Sequence, residues 1–292
     1  MDAGESGHAG VSGLVGESGR AGASTWRFAK GHGTGNDFVV LPDPDGELPL
    51  TAQRIAALCD RRFGIGGDGV LRVVRTDRLP AGAPFTGQAE WFMDYANADG
   101  SVAEMCGNGV RVFARYLTDH GLVSTGRFAV ATRAGLVGVV VDGDEISATM
   151  ARPVLGGRST AVLHGVGFTG TTVDVGNPHL VCPVDELSTL DLDTPPDLDG
   201  EVFPHGANVE FVAATGEPLH VRMRVYERGS AETLSCGTGA CAVAAVALRD
   251  AGEQAGRVVV DVPGGRLTIT IDTAGCQLTG PAVIVAEGDL LL

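Results

Sequence analysis

Two segments of this chain read almost alike: Cys106-Gly107-Asn108-Gly109-Val110-Arg111 and Cys236-Gly237-Thr238-Gly239-Ala240-Cys241. Each opens a run of alanine, valine and other helix-compatible residues. A second matched pair precedes them in the same order. His32-Gly-Thr-Gly-Asn36-Asp37-Phe38-Val39-Val40 and Val173-Asp-Val-Gly-Asn177-Pro178-His179-Leu180-Val181 each place Gly-Asn before a strand-like apolar run. A repeated order of motifs predicts a duplicated fold, two related halves with one cysteine segment each.

Short alternating stretches fill the space between these motifs. Leu219, Val221, Met223 and Val225 point one way and His220, Arg222 and Arg224 the other, while Leu267, Ile269 and Ile271 alternate with Thr268 and Thr270, the period of a strand with one buried face. Helical patterns are fewer. Gln53 to Arg62 reads as amphipathic, Val110 to Asp119 carries Arg111 and Arg115 on one stripe, and Ala240 to Leu248 is small and apolar all round, as a helix enclosed by sheet would be. The expectation is an α+β fold rather than a regular βαβ series. The boundary between halves is placed near Ala151-Arg152-Pro153, and the acidic, proline-rich Asp191 to Gly200 reads as a surface loop of the second half.

Composition excludes several functions. The 292 residues carry a net charge of −15, the wrong sign for a general binder of the nucleic-acid backbone. No apolar run approaches the ~20 residues of a membrane span. Residues 1–25, rich in glycine, serine and alanine, have neither the basic start nor the apolar core of a secretion signal and read as a flexible tail. The six cysteines form no disulfide framework and no paired CxxC zinc unit, so reduced thiols of a cytoplasmic protein and no metal are expected. Lys30 is the only lysine, which leaves pyridoxal chemistry a single candidate Schiff base.

The chemistry points to the cysteines. A cysteine at a helix start faces unpaired N–H groups and the positive end of the dipole, and such a setting lowers a thiol pKa from ~8.5 into the range ~3.5–7.5. The flanking glycines let a carboxylate approach the same N–H groups. Buried hydrophobic cysteines remain the bland alternative for either motif alone; Cys59, Cys182, Cys241 and Cys276 lack the motif and read as structural. Asn36, Asn97, Asn177 and Asn208 sit in turn-like contexts, yet an amide suits a ligand bearing both ammonium and carboxylate groups. Glu227-Arg228 ends a strand where the arginine is able to clamp a carboxylate and the glutamate to hold an ammonium. His179 reads equally as structural or catalytic. The glycine-rich Phe63 to Gly69 follows a helical pattern and precedes a strand, the reverse of a dinucleotide fingerprint.

Lys30-Gly-His-Gly-Thr-Gly-Asn-Asp-Phe38, Arg62-Phe-Gly-Ile-Gly-Gly-Asp-Gly69, Asn97-Ala-Asp-Gly-Ser101, Cys106-Gly-Asn-Gly109, Gly176-Asn-Pro-His179 and Glu227-Arg228 with Cys236-Gly-Thr-Gly-Ala-Cys241 resemble, in order and spacing, the diaminopimelate epimerase family. The likeness runs from about Trp26 to the C-terminus. Gly229-Ser-Ala-Glu232 departs from the family's usual Gly-Ala-Gly-Glu, and Gly69 takes no binding role. The resemblance implies two pseudo-symmetric, barrel-like mixed α/β halves, each wrapping a central helix: residues 26–151 with 281–292, and residues 152–280. The substrate would lie between them and the last strand would return to the first half. It implies cofactor-independent epimerisation of LL- to meso-diaminopimelate, in lysine and peptidoglycan precursor synthesis, by a homodimer with a small-molecule substrate and neither nucleic acid nor membrane as partner. It casts Cys106 and Cys236 as the acid/base pair and His179 and Glu227 as assistants in proton transfer. Asn36, Asn97, Asn177, Asn208, Glu227 and Arg228 would hold substrate, and the N–H groups at Gly107-Asn108 and Gly237-Thr238 would bind the reacting carboxylate. A proline-type racemase, a binding protein and a dithiol redox protein stay as alternatives.

Overall fold

The computed structural model describes residues 25–124 and 126–291; the expected tail lies outside them except for Thr25, which opens the first strand. In chain order the first elements are β1 (Thr25–Gly33), β2 (Asn36–Pro42), α1 (Ala52–Cys59), β3 (Gly69–Arg75), β4 (Trp91–Asn97), α2 (Gly107–Asp119), β5 (Gly126–Thr132), β6 (Gly135–Asp142) and β7 (Glu145–Met150). Next come β8 (Val154–Leu163), β9 (Val166–Asp174), β10 (Pro178–Pro183), β11 (Asp197–Leu198), β12 (Asn208–Ala214), β13 (His220–Glu227), β14 (Ala231–Thr233) and α3 (Gly237–Asp250). The chain closes with β15 (Gly256–Val262), β16 (Gly265–Asp272), β17 (Gly275–Pro281) and β18 (Val283–Leu291).

The repeat in the letters is a repeat in topology. One run of neighbours is β18-β1-β2-β3-β4-β5-β6-β7, and the other is β8-β9-β10-β12-β13-β15-β16-β17. Each run is antiparallel except at matching places: β2–β3 and β4–β5 are parallel in one, β10–β12 and β13–β15 in the other. The β7–β17 pairing joins them, and β18 pairs along β1. This is the α+β architecture of two mixed halves read from the sequence.

Each half closes on its own helix. Val110, Val112, Phe113, Ala114 and Leu117 of α2 pack into a core with Phe38, Leu71, Met93 and Val139. Ala240 to Val246 of α3 lie in another, with Met223, Val225, Ile269 and Leu278. The all-round small and apolar surface of α3 is thus explained by sheet on every side.

Element ends differ from the expected ones for local reasons. Helix α1 stops at Cys59 rather than Arg62, because the Asp60 carboxylate accepts the N–H groups of Arg62 and Phe63 and turns the chain. Helices α2 and α3 begin earlier than their apolar patterns, at the glycines directly after Cys106 and Cys236. The Asp191 to Gly200 stretch contains the two-residue strand β11, paired with β8. Arg111 is the largest departure: it is completely buried rather than on a polar stripe. Its guanidinium donates to the Thr34 Oγ1 (3.1 Å), and burial pulls its pKa down to about 10.

Candidate active site

Both cysteines are helix N-caps. The Cys106 Sγ accepts the Gly109 N–H at 3.3 Å, and the Cys236 Sγ accepts the Gly239 N–H at 3.4 Å. An extended backbone at each cysteine turns into helix at the next residue, so the thiol lies beside the free N–H groups of the first turn. The helix starts meet end to end. A methyl carbon on Gly237 would stand 3.4 Å from the Gly107 Cα, and one on Gly107 3.6 Å from the Gly237 Cα, so the approach depends on two residues without side chains.

The two starts open on one cavity of about 920 Å³. Cys106, Gly107 and Asn108 line it from one half, Cys236, Gly237 and Thr238 from the other. Asn36 and Asn97 stand on the first side, and Asn177, Asn208, Glu227 and Arg228 on the second. Every predicted site residue but one therefore reaches a single cavity. The exception is His179, fully buried behind the wall, with Nδ1 2.7 Å from the Glu210 Oε1 and Nε2 3.0 Å from the Asn177 Oδ1.

The amides are held by further hydrogen bonds. Asn36 donates Nδ2 to the Asp68 carboxylate (2.6 Å), which turns its Oδ1 toward the Cys106 Sγ (3.7 Å) and the Asn108 Nδ2 (3.2 Å). Asn208 accepts the Arg228 backbone N–H through Oδ1 (3.0 Å) and points Nδ2 at the Cys236 Sγ (3.8 Å). Each orientation is fixed by a partner that is able only to accept or only to donate. The Asn97 Oδ1 accepts the Tyr95 hydroxyl at 2.8 Å, and the Glu227 Oε1 accepts the Thr233 hydroxyl.

The protein matches the family model described as diaminopimelate epimerase over residues 28–155 and 171–287. It is 56% identical over 274 residues to the diaminopimelate epimerase of Thermobifida fusca, covering 91% of this chain and 98% of that one. To the enzyme of the same name from Rhodococcus opacus it is 49% identical over 280 residues, covering 90% and 96%. The chain belongs to the diaminopimelate epimerase family. Similar folds occur in a phenazine biosynthesis protein of the PhzF family from Bacillus anthracis, with a TM-score of 0.68 and 18% identity over 92% of this chain and all of that one. Another is a hydroxyproline epimerase from Agrobacterium vitis, with a TM-score of 0.63 and 14% identity over 92% and 93%.

As a diaminopimelate epimerase family member the chain is an isomerase, and its electrostatics correct one expectation. Neither thiol is acidic in this setting. Burial pushes Cys106 up to about 11, outweighing the Gly109 N–H, with the Glu227 carboxylate adding to the rise. Burial also raises Cys236 well above the ordinary thiol value, helped by the Glu227 and Glu210 carboxylates. Desolvation and two nearby carboxylates outweigh the helix starts, and both act against a thiolate. Burial likewise raises the Glu227 carboxyl from its ordinary value, while hydrogen bonds with Thr233 and, less strongly, Cys236 pull the other way.

Several site residues escaped the motif reading. Tyr95 lines the cavity two positions before Asn97 on β4, and Glu210 stands two positions after Asn208 on β12. Strand alternation places both on the same face as a flagged asparagine, a signal that was available. Asp68 lies within the quoted Arg62 to Gly69 motif without having been given a role, and Arg61 precedes that motif. With Lys30 they surround Asp37: Arg61 bonds Asp37 (2.9 and 2.7 Å) and Asp68 (2.8 Å), and Lys30 stands 2.5 Å from Asp37. Burial works against the Asp37 charge, but the Arg61 and Lys30 hydrogen bonds together hold its carboxyl below the ordinary range.

Proposed function

We propose that this chain interconverts LL- and meso-diaminopimelate without a cofactor by a two-base mechanism, Cys236 removing the α-proton of the LL substrate from one face while Cys106 delivers a proton to the other. The observation that carries the proposal is the meeting of two cysteine-capped helix starts in one cavity. Inversion at a carbon needs an acid and a base on opposite faces, and two halves with a thiol each provide that arrangement. The first-turn N–H groups at Gly107-Asn108 and Gly237-Thr238 would hold the reacting carboxylate and take up the negative charge that grows on it as the proton leaves. Glu227, hydrogen-bonded with Cys236, would accept the Cys236 proton and so generate the thiolate that attacks the α-proton. Asn97, Asn177, Asn208 and Arg228 offer donors and acceptors enough for the distal amino-acid end, which favours a diamino diacid over proline. The product would serve lysine and peptidoglycan precursor synthesis.

Incubating LL-diaminopimelate with the purified protein in deuterated water should give meso product with deuterium at one α-carbon, and proline should exchange nothing. Cys106→Ala or Cys236→Ala should each lower epimerisation by roughly 10²–10⁴-fold, the usual contribution of a positioned acid or base. Full turnover by either single variant would sink the two-base assignment.

A further inference from the structure

The two halves fill the space beneath their cysteine helices differently. In the parallel pair β2–β3, Phe38 lies opposite Gly69 and Val40 opposite Leu71; in β10–β12, His179 lies opposite Asn208 and Val181 opposite Glu210. Phe38 and His179 each come two residues after a cavity asparagine, Asn36 or Asn177, so Phe38 matches His179 and Leu71 matches Glu210. The helices confirm the match. A methyl carbon on Gly109 would meet the Leu71 Cδ2 at 3.2 Å and the Phe38 Cζ at 3.5 Å; one on Gly239 would meet the Glu210 Oε1 at 2.6 Å. All four side chains are 0% exposed.

The apolar pair shows that this niche needs no charge to pack. Burying a carboxylate and an imidazole costs desolvation that hydrocarbon avoids, and the Glu210 Oε2 has no hydrogen-bond partner among the described residues. The His179–Glu210 pair differs from Phe38 and Leu71 in where it reaches. Glu210 holds the His179 Nδ1 at 2.7 Å, and the His179 Nε2 meets the Asn177 Oδ1 at 3.0 Å. With its oxygen engaged, Asn177 turns Nδ2 to the Thr238 Oγ1 (3.4 Å) and the cavity. Its counterpart Asn36 is held instead by Asp68.

We propose that Glu210 is a positioning residue for substrate recognition: through His179 it fixes the Asn177 amide as a hydrogen-bond donor toward a substrate carboxylate. His179 is then a link in that chain and does not touch the reacting carbon. The inference rests on the function proposed above for its substrate.

The double variant His179→Phe/Glu210→Leu copies the apolar half and leaves neither polar partner buried alone, so it should fold with a thermal midpoint equal to or above the parent's. Its KM for LL-diaminopimelate should rise by roughly 10-fold, the worth of one hydrogen bond to a charged group, with a smaller change in kcat. A folded double variant with the parental KM overturns the proposal. Glu210→Gln, which keeps the shape, supplies a second test in a cycle with Asn177→Ala. If Glu210 acts through Asn177, the two effects on kcat/KM are not additive; additive effects overturn it. In the ligand-free protein the Asn177 side-chain amide, followed by nitrogen-15 NMR, should exchange faster with solvent in Glu210→Gln, and an unchanged amide also refutes the positioning role. A parent protein that leaves diaminopimelate untouched would refute the function while this last readout still decides the role of Glu210.

Discussion

Glu227 and the two cysteines form a proton ladder whose rungs are set by burial. In the proposed reaction the carboxylate must be free to take the Cys236 proton, and Cys106 must still hold its own. Below its raised pKa Glu227 is protonated and accepts nothing, so kcat/KM should fall in acid with a midpoint above the ordinary carboxylate value. Above about 11 Cys106 loses the proton it has to deliver, so the rate should fall again there. Because kcat/KM reports the free enzyme, a pH profile of that ratio reads both groups. Glu227→Gln removes the acceptor, and activity should then rise with pH across the alkaline range as Cys236 ionises unaided. A variant profile that superimposes on the parental one counts against this role. The sequence announced these residues because Cys-Gly-x-Gly and Glu-Arg are contiguous motifs. It did not announce their proton affinities, which depend on the Glu210 and Glu227 carboxylates brought to Cys236 from β12 and the end of β13.

The helices and turns carry the site as elements, and their seam is narrow. The turn Thr34-Gly35 between β1 and β2 crosses to the other half: the Thr34 Oγ1 donates to the Ser235 Oγ at 2.7 Å, and the Ser235 carbonyl accepts the Asn108 amide at 2.9 Å. Thr34 itself has φ of 50°, a left-handed backbone that a threonine adopts only when its surroundings hold it there. Across from it lies Gly264 in the β15–β16 turn, whose N–H bonds the Leu234 carbonyl at 2.9 Å. A methyl carbon at Gly264 would fall 1.7 Å from the Thr34 carbonyl oxygen, and the three nearest atoms, from Thr34 and Gly35, are all backbone. Gly264→Ala should therefore push the halves apart, costing about 1–3 kcal/mol and lowering kcat/KM because the helix starts lose their contact. Thermal unfolding and steady-state rates check this, and parental values for both would show that the seam yields freely. Strand periodicity made most of these elements legible. The starts of α2 and α3 were marked by the Cys-Gly-x-Gly motifs rather than by apolar period, while the end of α1 was not legible, because an aspartate side chain turns the backbone there.

For the whole molecule, the duplicated order of motifs was enough to read two related halves, since each repeat needs its own helix and its own wrapping sheet; the return of the last strand followed only from the family resemblance, because no motif marks it. Burial of so many thiols across the molecule's apolar clusters has a consequence that no motif carries. Desolvation raises Cys59 to about 11, Cys106 to about 11 and Cys182 to about 12, and drives Cys236 and, after its hydrogen bond with Cys276, Cys241 upward as well. Cys276 alone moves the other way, lowered by that same bond with Cys241. The folded chain keeps these protons at a pH where the unfolded chain, with thiols near 9.0, has released them. Stability from the raised groups is thus complete below about pH 9 and is lost as pH climbs toward 11, by roughly 1.4 kcal/mol per unit for each net proton. Existing repulsion from a net charge of −15 acts in the same direction. The thermal midpoint should fall steeply between about pH 9 and 11. Cys182→Val, which removes one raised thiol far from the cysteine helix starts, should flatten that fall. A midpoint constant across this range would mean that the thiols ionise without unfolding the cores around them.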